Sequence, residues 1–576
     1  MSLSTAMQIG RSALTASQLG LSVAGNNMSN AATPGYSRQV ARFEPVRGDS
    51  TTLQAGKGVR VRDVRRQVDT ALQARLWAGV SEESSAQAKL SIASAVETAI
   101  GELSDYDLSS QLSSFFASWS ERANGTQSSS LVIQQGDKLA SHIKNLRSDL
   151  ISQRTQIDRQ LQASALQADD VLSRIAVLNS AVARAEVDGS DAGSLRDQRD
   201  NLVSELSQYI DATAVEQPSG AVDILIGSTP VVNGGVSRGL SLIQRTEDGR
   251  TEVFVAVTQN QQRLEPSAGS IASLLASRGT AVGGTIDRLD AVASRLIFEI
   301  NKIHSTGALP ANPTQSTATL AIPTADRTRA LNDPDNRTLS ELPFEPVSGG
   351  FLVQVKQSAT GATRTTFVPV DLDGRSSTGA VSTTDDTSAD DLRAALNSVP
   401  GLSASFSPEG KLQITADAGY EFSFRDDTSG VLATLGVNAY FSGTDGADIA
   451  VRGDLKSNPS LLLAGRYEGG EFVSNGTALA IVGLQDRPLD ALGGRTLRAH
   501  WTDTVQAVGV EAQAASNRAD ATRLVRESLE SQRAAVSGVN IDEEAINLLA
   551  YQRQYQGAAR LISVADELTQ TLLSIL

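Results

Sequence analysis

The side chains that usually carry acid–base, thiol or metal chemistry are scarce in this sequence. It has no cysteine and only three histidines, His142, His304 and His500, among 576 residues. The absence of cysteine excludes thiolate nucleophiles, disulfides and cysteine-bound metal centres. Because a catalytic or metal-binding histidine needs converging partners, and these three are scattered along the chain, we expect each of them to be structural.

No short sequence motif indicates a phosphate-binding, catalytic or metal-binding site. The sequence contains no phosphate-binding glycine loop and no His-Glu-x-x-His zinc motif. The run Asp371-Leu372-Asp373-Gly374 resembles the first half of a calcium loop, but it lacks the glutamate at the twelfth position, so we favour a turn. We therefore predict no catalytic, cofactor-binding or metal-binding residue, and no cofactor.

The charge pattern argues against nucleic acid as a partner. The net charge is −15, whereas general nucleic-acid binding needs cations that neutralise phosphates. Residues 38–75 hold nine cations against four anions, which would suit a nucleic-acid stripe. However, Phe43 is the only aromatic residue among them, which does not make the interleaved aromatic pattern used for base stacking. We favour the solvated face of a strand pair, or a basic patch that meets an acidic neighbouring subunit.

Membrane and secretion signals are also lacking. Polar residues interrupt every short apolar run before Arg38, so no cleaved signal peptide is expected. No stretch approaches the roughly 18 apolar residues of a membrane span. Membrane insertion is therefore not expected.

The first helix is evident from its periodicity. Apolar and small residues recur at alternating steps of four and three: Leu3, Met7, Gly10, Leu14, Ser17, Leu21, Ala24 and Met28. An adjacent row of mostly small residues suits close helix packing. The asparagine-rich run Asn26–Asn30 should end the helix, and Thr33-Pro34-Gly35-Tyr36 predicts a turn with Pro34 second and Gly35 third.

The last helix has a matching row. Asn540 is a candidate N-cap, with Glu543 completing a capping box. The row then runs through Leu548, Tyr551, Tyr555, Ala558, Ile562, Ala565, Leu568, Leu572 and Ile575. An isolated helix at the end of a chain is only marginally stable. The apolar rows on both terminal helices therefore favour packing between molecules.

Between the ends, residues 69–208 are mostly helical, with an apolar seam from Leu139 to Val182 typical of a coiled-coil-like hairpin or bundle. A small β patch is predicted near 213–262. From 308 to 490, short alternating runs punctuated by Pro, Gly, Thr and Asp predict β structure, with a helix capped by Ser388.

The predicted fold class is mainly α with a β-rich insert, arranged as an elongated multidomain rod. We expect three layers, two of which are built from both ends of the chain. They are a terminal axial coiled-coil domain (1–36 and 540–576), a helical rod domain containing the central bundle and the β patch (37–307 and 491–539), and an outer β-rich insert (308–490).

The two ends of the chain carry a family resemblance. Asn26-Asn27-Met28-Ser29-Asn30-Ala31-Ala32-Thr33-Pro34-Gly35-Tyr36-Ser37-Arg38 resembles the N-terminal motif of bacterial flagellar rod, hook and hook-associated proteins. The run from Ser537 to Gln556 resembles the C-terminal end of that superfamily. The chain length, the long helical region and the segment Leu435–Thr444 resemble members at the hook–filament junction rather than hook protein itself.

The resemblance implies a structural adaptor of the flagellum that joins hook to filament and is not an enzyme. Such a protein would be exported by the flagellar type III system and would lie outside the cell. Its implied partners are copies of itself in a ring, hook protein, hook-associated protein 3, and an export chaperone on the C-terminal helix. Alternatives are another axial component, such as hook protein, or a secreted adhesin or enzyme that uses the β insert.

The residues expected to form the axial assembly interface lie on the terminal helices and in the N-terminal motif. They are Leu3, Met7, Leu14, Leu21, Met28, Asn26, Asn27, Asn30, Pro34, Gly35, Tyr36, Leu548, Tyr551, Tyr555, Ile562, Leu568 and Leu572.

Overall fold

Helices make up most of the computed structural model, which describes residues 3–46, 56–101, 106–126, 128–187, 192–247, 250–376 and 378–575. The helices are α1 (Leu3–Ser29), α2 (Thr70–Ile100), α3 (Leu108–Ala123), α4 (Ser129–Ala185), α5 (Gly193–Tyr209), α6 (Gly269–Ser277), α7 (Gly284–His304), α8 (Thr324–Arg327), α9 (Arg337–Ser340), α10 (Ala389–Asn397), α11 (Val431–Leu435), α12 (Gly453–Ser457), α13 (Gly476–Leu484), α14 (Leu497–Ser537) and α15 (Ile541–Ile575).

The strands are short and pair in antiparallel fashion. They are β1 (Gln39–Pro45), β2 (Val59–Arg66), β3 (Thr213–Glu216), β4 (Val222–Ile226), β5 (Thr229–Asn233), β6 (Val236–Ser237), β7 (Leu240–Glu247), β8 (Arg250–Val257), β9 (Gln315–Ala321), β10 (Gly349–Gln357), β11 (Thr363–Val370), β12 (Leu402–Phe406), β13 (Lys411–Ala416), β14 (Tyr420–Arg425), β15 (Phe441–Ser442), β16 (Ala450–Val451), β17 (Arg466–Glu468) and β18 (Glu471–Val473).

The chain divides into two compact units. The first contains Met1–Ile92, Gln156–Arg278 and Gln513–Leu576. It holds both terminal helices, the β1–β2 pair, a sheet in the order β3-β4-β5-β6 and the β7–β8 pair. Both ends of the chain therefore belong to the same folded unit.

The second unit contains Ala93–Thr155 and Gly279–Ala512. Two three-stranded sheets, β11-β10-β14 and β12-β13-β9, lie in its β-rich part. Their alternating apolar residues form one core with α10 and α11, which includes Phe351, Ile414 and Phe424. Alternation along these strands places one face of each sheet in the core.

The predicted fold class, mainly α with a β-rich insert, is confirmed by this arrangement of elements. The seam of α4 is buried as its spacing predicts; its residues are Leu139, Ile143, Leu146, Leu150, Ile157, Leu161, Ala165, Ala168, Leu172, Ile175 and Val182. Ser388 caps α10 in a capping box with Asp391. Helix α14 begins at Leu497. None of the described helices has both the length and the apolar character needed to cross a bilayer.

Candidate assembly surface at the chain termini

The two terminal helices, α1 and α15, pack against each other in opposite directions. A methyl group added at Gly20 would lie 2.6 Å from the Tyr551 ring, and one added at Gly10 would lie 2.7 Å from Cγ1 of Ile562. The contacts on α15 move back along the chain as those on α1 move forward, so the pair is antiparallel. Glycine at these two positions lets the helices approach closely.

Small residues fill the centre of this seam, and the larger predicted residues lie at its edges. The buried residues of the seam are Gly10, Ala16, Ser17, Gly20 and Ala24 on α1, and Ala558 and Ala565 on α15. The predicted residues that are half-buried are Leu3, Leu14, Leu21, Met28, Leu548, Tyr551, Tyr555 and Ile562. Met7, Leu568 and Leu572 are exposed, and the side chain of Ile575 lies outside the described residues. The two predicted rows therefore meet within one chain, but part of each faces solvent.

A second apolar face of α15 is exposed. We call it the open stripe and define it as Ile546, Leu561, Val564, Leu568 and Leu572. Their exposed fractions run from 40% for Leu561 to 67% for Ile546. At 100° per residue these five side chains lie within about 80° of one another on the helix. The sequence analysis named Leu568 and Leu572 but missed the other three, although the same helical spacing would have found them.

A groove of about 390 Å³ lies beside the open stripe. Its lining residues come from α1, the β1–β2 pair and α15, and they are Ala13, Ala16, Ser17, Phe43, Val59, Gln554, Gly557, Ala558 and Leu561. Phe43 also packs edge-on against Tyr551, with ring centroids 6.2 Å apart. Leu561 belongs to both the groove and the open stripe, so the two form a continuous apolar surface.

Asn27 organises the turn that follows α1. The residue is fully buried. Its Nδ2 donates to the Gln39 carbonyl at 2.8 Å, while its Oδ1 accepts from the Gln39 amide and the Tyr36 hydroxyl, both at 2.9 Å. Burial, together with the charges of Asp197 and Glu544, raises the pKa of Tyr36 to about 12, so this hydroxyl stays protonated. The amide of Asn27 thus fixes the path from α1 into β1.

The neighbouring motif residues lie on the surface of the same turn. Asn26 is exposed and donates to the Tyr36 hydroxyl at 3.3 Å, whereas Asn30 is half-buried and donates to the Asn26 carbonyl at 2.9 Å. The Tyr36 amide bonds the Thr33 carbonyl at 3.2 Å, with the exposed Pro34 second in the turn.

Gly35 adopts the positive φ that the sequence predicts for the third position of this turn, 78°. A Cβ at that position would overlap the Asn201 side chain. Both the conformation and the space therefore require glycine.

Arg38 connects the N-terminal motif to the start of the last helix. Its Nε donates to Glu544 at 2.7 Å and its Nη1 to Glu543 at 3.0 Å, and its amide bonds the Ser537 carbonyl at 2.9 Å. Asn540 caps α15, because its Oδ1 accepts from the Asp542 amide at 3.0 Å. The Glu543 side chain, predicted to complete the capping box, lies against Arg38.

Arginines of the β1–β2 pair meet carboxylates of the same chain. Arg66 lies 2.8 Å from both Asp197 and Asp200, and these partners raise its pKa against the opposing effect of burial. Arg60 pairs with Glu44, and Arg65 pairs with Asp63. Much of the basic character of residues 38–75 is thus balanced locally.

Among the residues that the structure describes, no histidine shares a cluster with carboxylates. The groups of histidine, cysteine and acidic side chains close enough to share a metal ion, within the described ranges, contain no histidine. His304 is 1% exposed; its Nδ1 lies 2.6 Å from the Asn438 carbonyl and its Nε2 accepts from the Leu463 amide at 3.2 Å. This geometry requires the neutral ring with the proton on Nδ1, and burial lowers the pKa to about 4.

The aromatic residues around His304 form the centre of the second unit. Tyr440 is fully buried, its hydroxyl donates to the Val132 carbonyl at 2.8 Å, and its ring lies 5.5 Å from Trp119. Asn301 Oδ1 accepts from the amides of Tyr440 and Phe441 at 2.8 and 2.9 Å. The segment Leu435–Thr444, which carries part of the family resemblance, is therefore a packing element.

Three protein families match separate regions of the chain. Residues 93–315 match the flagellar hook-associated protein FlgK helical domain. Residues 360–418 match the flagellin hook IN motif, and residues 530–575 match the C-terminal region of the flagellar basal body rod FlgEFG proteins. The last match covers α15 and the end of α14.

Relatives align over almost the whole chain. Flagellar hook-associated protein 1 of Salmonella typhimurium is 24% identical over 590 residues, covering 98% of each chain. The protein of the same name from Bacillus subtilis is 23% identical over 580 residues, covering 99% of this chain and 97% of the relative.

A solved structure of the flagellar hook junction protein FlgK from Burkholderia pseudomallei covers 81% of this chain and all of its own, with 14% identity and a TM-score of 0.48. The likeness lies in the sequence matches. The chain is similar over almost its whole length to flagellar hook-associated protein 1 of two bacteria, and its residues 93–315 match the helical domain of that protein.

Proposed function

We propose that this protein is a structural adaptor that joins the hook of the bacterial flagellum to the filament and has no catalytic activity. The names of its full-length relatives support the junction role. The local ion pairs, the buried neutral histidine and the absence of cysteine agree with a structural protein. Its proposed site is the junction outside the cell, reached through the flagellar export channel without cleavage of a signal peptide.

The open stripe and the adjoining groove are the observation that carries this proposal. In the single chain, α15 uses one face against α1 and leaves a second apolar face in water. Exposed apolar surface of this kind is typical of surfaces that bind other proteins. We propose that neighbouring subunits cover the open stripe, so that copies of the chain form a ring through their paired terminal helices.

The remaining organisation follows from this ring. The terminal layer (1–36 and 540–576), the helical layer (37–307 and 491–539) and the β insert (308–490) would form successive layers from the axis outward. Hook protein would contact one end of the ring and hook-associated protein 3 the other. Before export, a chaperone would cover α15, because the same apolar face would otherwise be exposed in the cell.

The test is a charge placed on the open stripe. Leu568 is 54% exposed, so Leu568→Glu should leave the free chain folded but place a carboxylate in the seam between subunits. Burying an unpaired charge costs several kcal/mol. In a strain carrying this variant, we expect hooks without filaments and filament protein lost to the medium.

Gln556→Glu is the matched control. Gln556 is exposed on α15 but lies on the face away from the open stripe, and the substitution adds the same charge. This strain should assemble filaments normally. Normal filaments in the Leu568→Glu strain, with the variant present at the hook tip, would contradict assembly through the open stripe.

A further inference from the structure

Three carboxylates meet in the β insert. Asp371 and Asp373 follow strand β11, and Asp386 precedes α10. One oxygen from each lies within 4.8 Å of the others. None of the three forms an ion pair with a described residue. Like charges this close repel one another unless a cation lies between them.

Asp386 is the decisive member of the group, because it is buried and incompletely satisfied. It is only 4% exposed. Its Oδ2 accepts from Asn332 Nδ2 at 2.8 Å and from the Gly374 amide at 3.1 Å. Its Oδ1 is buried and accepts no hydrogen bond from the described part of the chain. Leaving a buried charged oxygen without a partner is costly, so such an atom calls for an explanation.

Asn332 holds Asp386 in place. Its Nδ2 donates to Asp386 Oδ2 at 2.8 Å, while its own Oδ1 is buried and accepts no hydrogen bond from the described residues. Asn332 therefore orients the Asp386 carboxylate, and the cluster offers three carboxylates.

The loop that carries these ligands is held in place from both sides. The Asp371 amide donates to Thr387 Oγ1 at 2.8 Å, and the Thr387 amide donates to the Asp371 carbonyl at 2.7 Å. Together with the Gly374–Asp386 bond, these contacts fix the Asp371–Gly374 loop against the residues that precede α10. The backbone of this loop is therefore held against the residues before α10 without an ion.

We propose that Asp371, Asp373 and Asp386 form a calcium site, with Asn332 positioning Asp386. All three ligands are carboxylate oxygens, which suit calcium and magnesium rather than zinc or copper. A site built from three protein carboxylates suits Ca²⁺, whereas Mg²⁺ usually keeps several waters and is bound through one or two carboxylates in near-ideal octahedral geometry. The third carboxylate follows Asp371 by fifteen positions rather than the eleven of an EF-hand, so the sequence motif alone indicated only a turn. This site is independent of the role of the protein at the hook junction.

Calcium titration of the purified full-length chain tests the site. After treatment with a chelator, isothermal titration with calcium chloride should show one ion bound per chain, and calcium should raise the melting temperature. Asp373→Asn should weaken binding about tenfold or more, since it removes a ligand charge. Asp373 is exposed, so this variant keeps the fold. Asp386→Asn should abolish binding, with its far-UV circular dichroism in chelator as the check on folding.

Asp417→Asn is the matched control, because Asp417 is an exposed aspartate of the same β insert outside the cluster. This variant should bind calcium as the unchanged protein does. The proposal is overturned if no saturable binding occurs up to about 5 mM calcium, the weak end of protein calcium sites. It is also overturned if Asp373→Asn binds as tightly as the unchanged protein. Equal affinity for magnesium would overturn the assignment to calcium.

Discussion

Nε of Arg38 lies 2.7 Å from Oε1 of Glu544, and this ion pair connects residues 506 positions apart. Glu544 is in the first turn of α15, where a negative charge also favours the positive end of the helix dipole. Only 3% of its side chain is exposed, against 56% for the neighbouring Glu543. The two acids share one arginine but differ in their access to water.

This difference predicts unequal effects of two matched substitutions. Glu544→Gln should destabilise the packing of α15 by about 2 kcal/mol, because it removes the charge from a buried pair. Glu543→Gln should cost below about 1 kcal/mol, as is usual for an exposed pair. Hydrogen exchange of the α15 amides in the full-length chain measures both. Equal loss of protection in the two variants would contradict the structural distinction between them.

Close packing of α1 on α15 predicts a second pair of effects. Gly20→Val should destabilise the helix pair by about 2 kcal/mol, since the added atoms would overlap the Tyr551 ring. Gly25→Ala is the control, because no atom lies within 4 Å of the position its Cβ would occupy. Alanine there should stabilise α1 by about 0.5–1 kcal/mol through helix propensity. Thermal unfolding followed by circular dichroism at the helical band compares the stability of the two variants. If Gly20→Val were as stable as the unchanged protein, close packing of α1 on α15 at this position would be contradicted.

Burial of His304 predicts a dependence of stability on pH. The pKa of this residue is about 4 in the folded chain, against about 6.5 in an unfolded one. Above about pH 6.5 the ring is neutral in both states, and the folded state has its full stability. Between pH 6.5 and 4 the unfolded chain takes up the proton first, so stability falls by about 3 kcal/mol as the pH decreases. Urea unfolding read by tryptophan fluorescence should show this fall in the unchanged protein, and a flatter profile in His304→Gln. Identical slopes would assign the effect to other groups.

Periodicity predicted the helices well because their burial depends on local spacing. Every apolar residue of the α4 seam between Leu139 and Val182 that the spacing identified is buried. The turn at Pro34 and Gly35 was predictable for a similar reason, since proline and glycine restrict or permit particular backbone angles. The terminal rows were recognisable as packing surfaces, and their role in assembly stays a prediction.

Features that depend on distant residues could not be found in this way. The site around Asp386 includes Asn332, which lies 54 positions away, and nothing in the local sequence indicates that the two meet. The bonds of His304 to Asn438 and Leu463 span 134 and 159 positions. Single histidines and asparagines carry no periodic signal, so only the folded chain shows which of them are buried and paired.

Asn27 provides the last prediction, because the sequence alone does not separate it from its neighbour Asn26. Asn27 is fully buried and satisfied by Gln39 and Tyr36, whereas Asn26 is exposed. Asn27→Ala should cost about 1–3 kcal/mol, because it leaves the half-buried amide and carbonyl of Gln39 without these partners. Asn26→Ala should cost less than about 1 kcal/mol, since water replaces its bonds.

Asn27→Asp separates hydrogen bonding from shape. It keeps the acceptor for the Gln39 amide and the Tyr36 hydroxyl but loses the donor to the Gln39 carbonyl. It also introduces a buried charge next to Tyr36, whose pKa is already raised by Asp197 and Glu544. Because burial disfavours that charge, Asn27→Asp should be at least as destabilising as Asn27→Ala at pH 7. Compared with the unchanged protein at the same pH, it should recover stability as the pH falls below about 5, where the carboxyl is neutral. Urea unfolding at the two pH values measures this. If Asn27→Asp were as stable as the unchanged protein at pH 7, Asn27 would not be the buried centre of the turn.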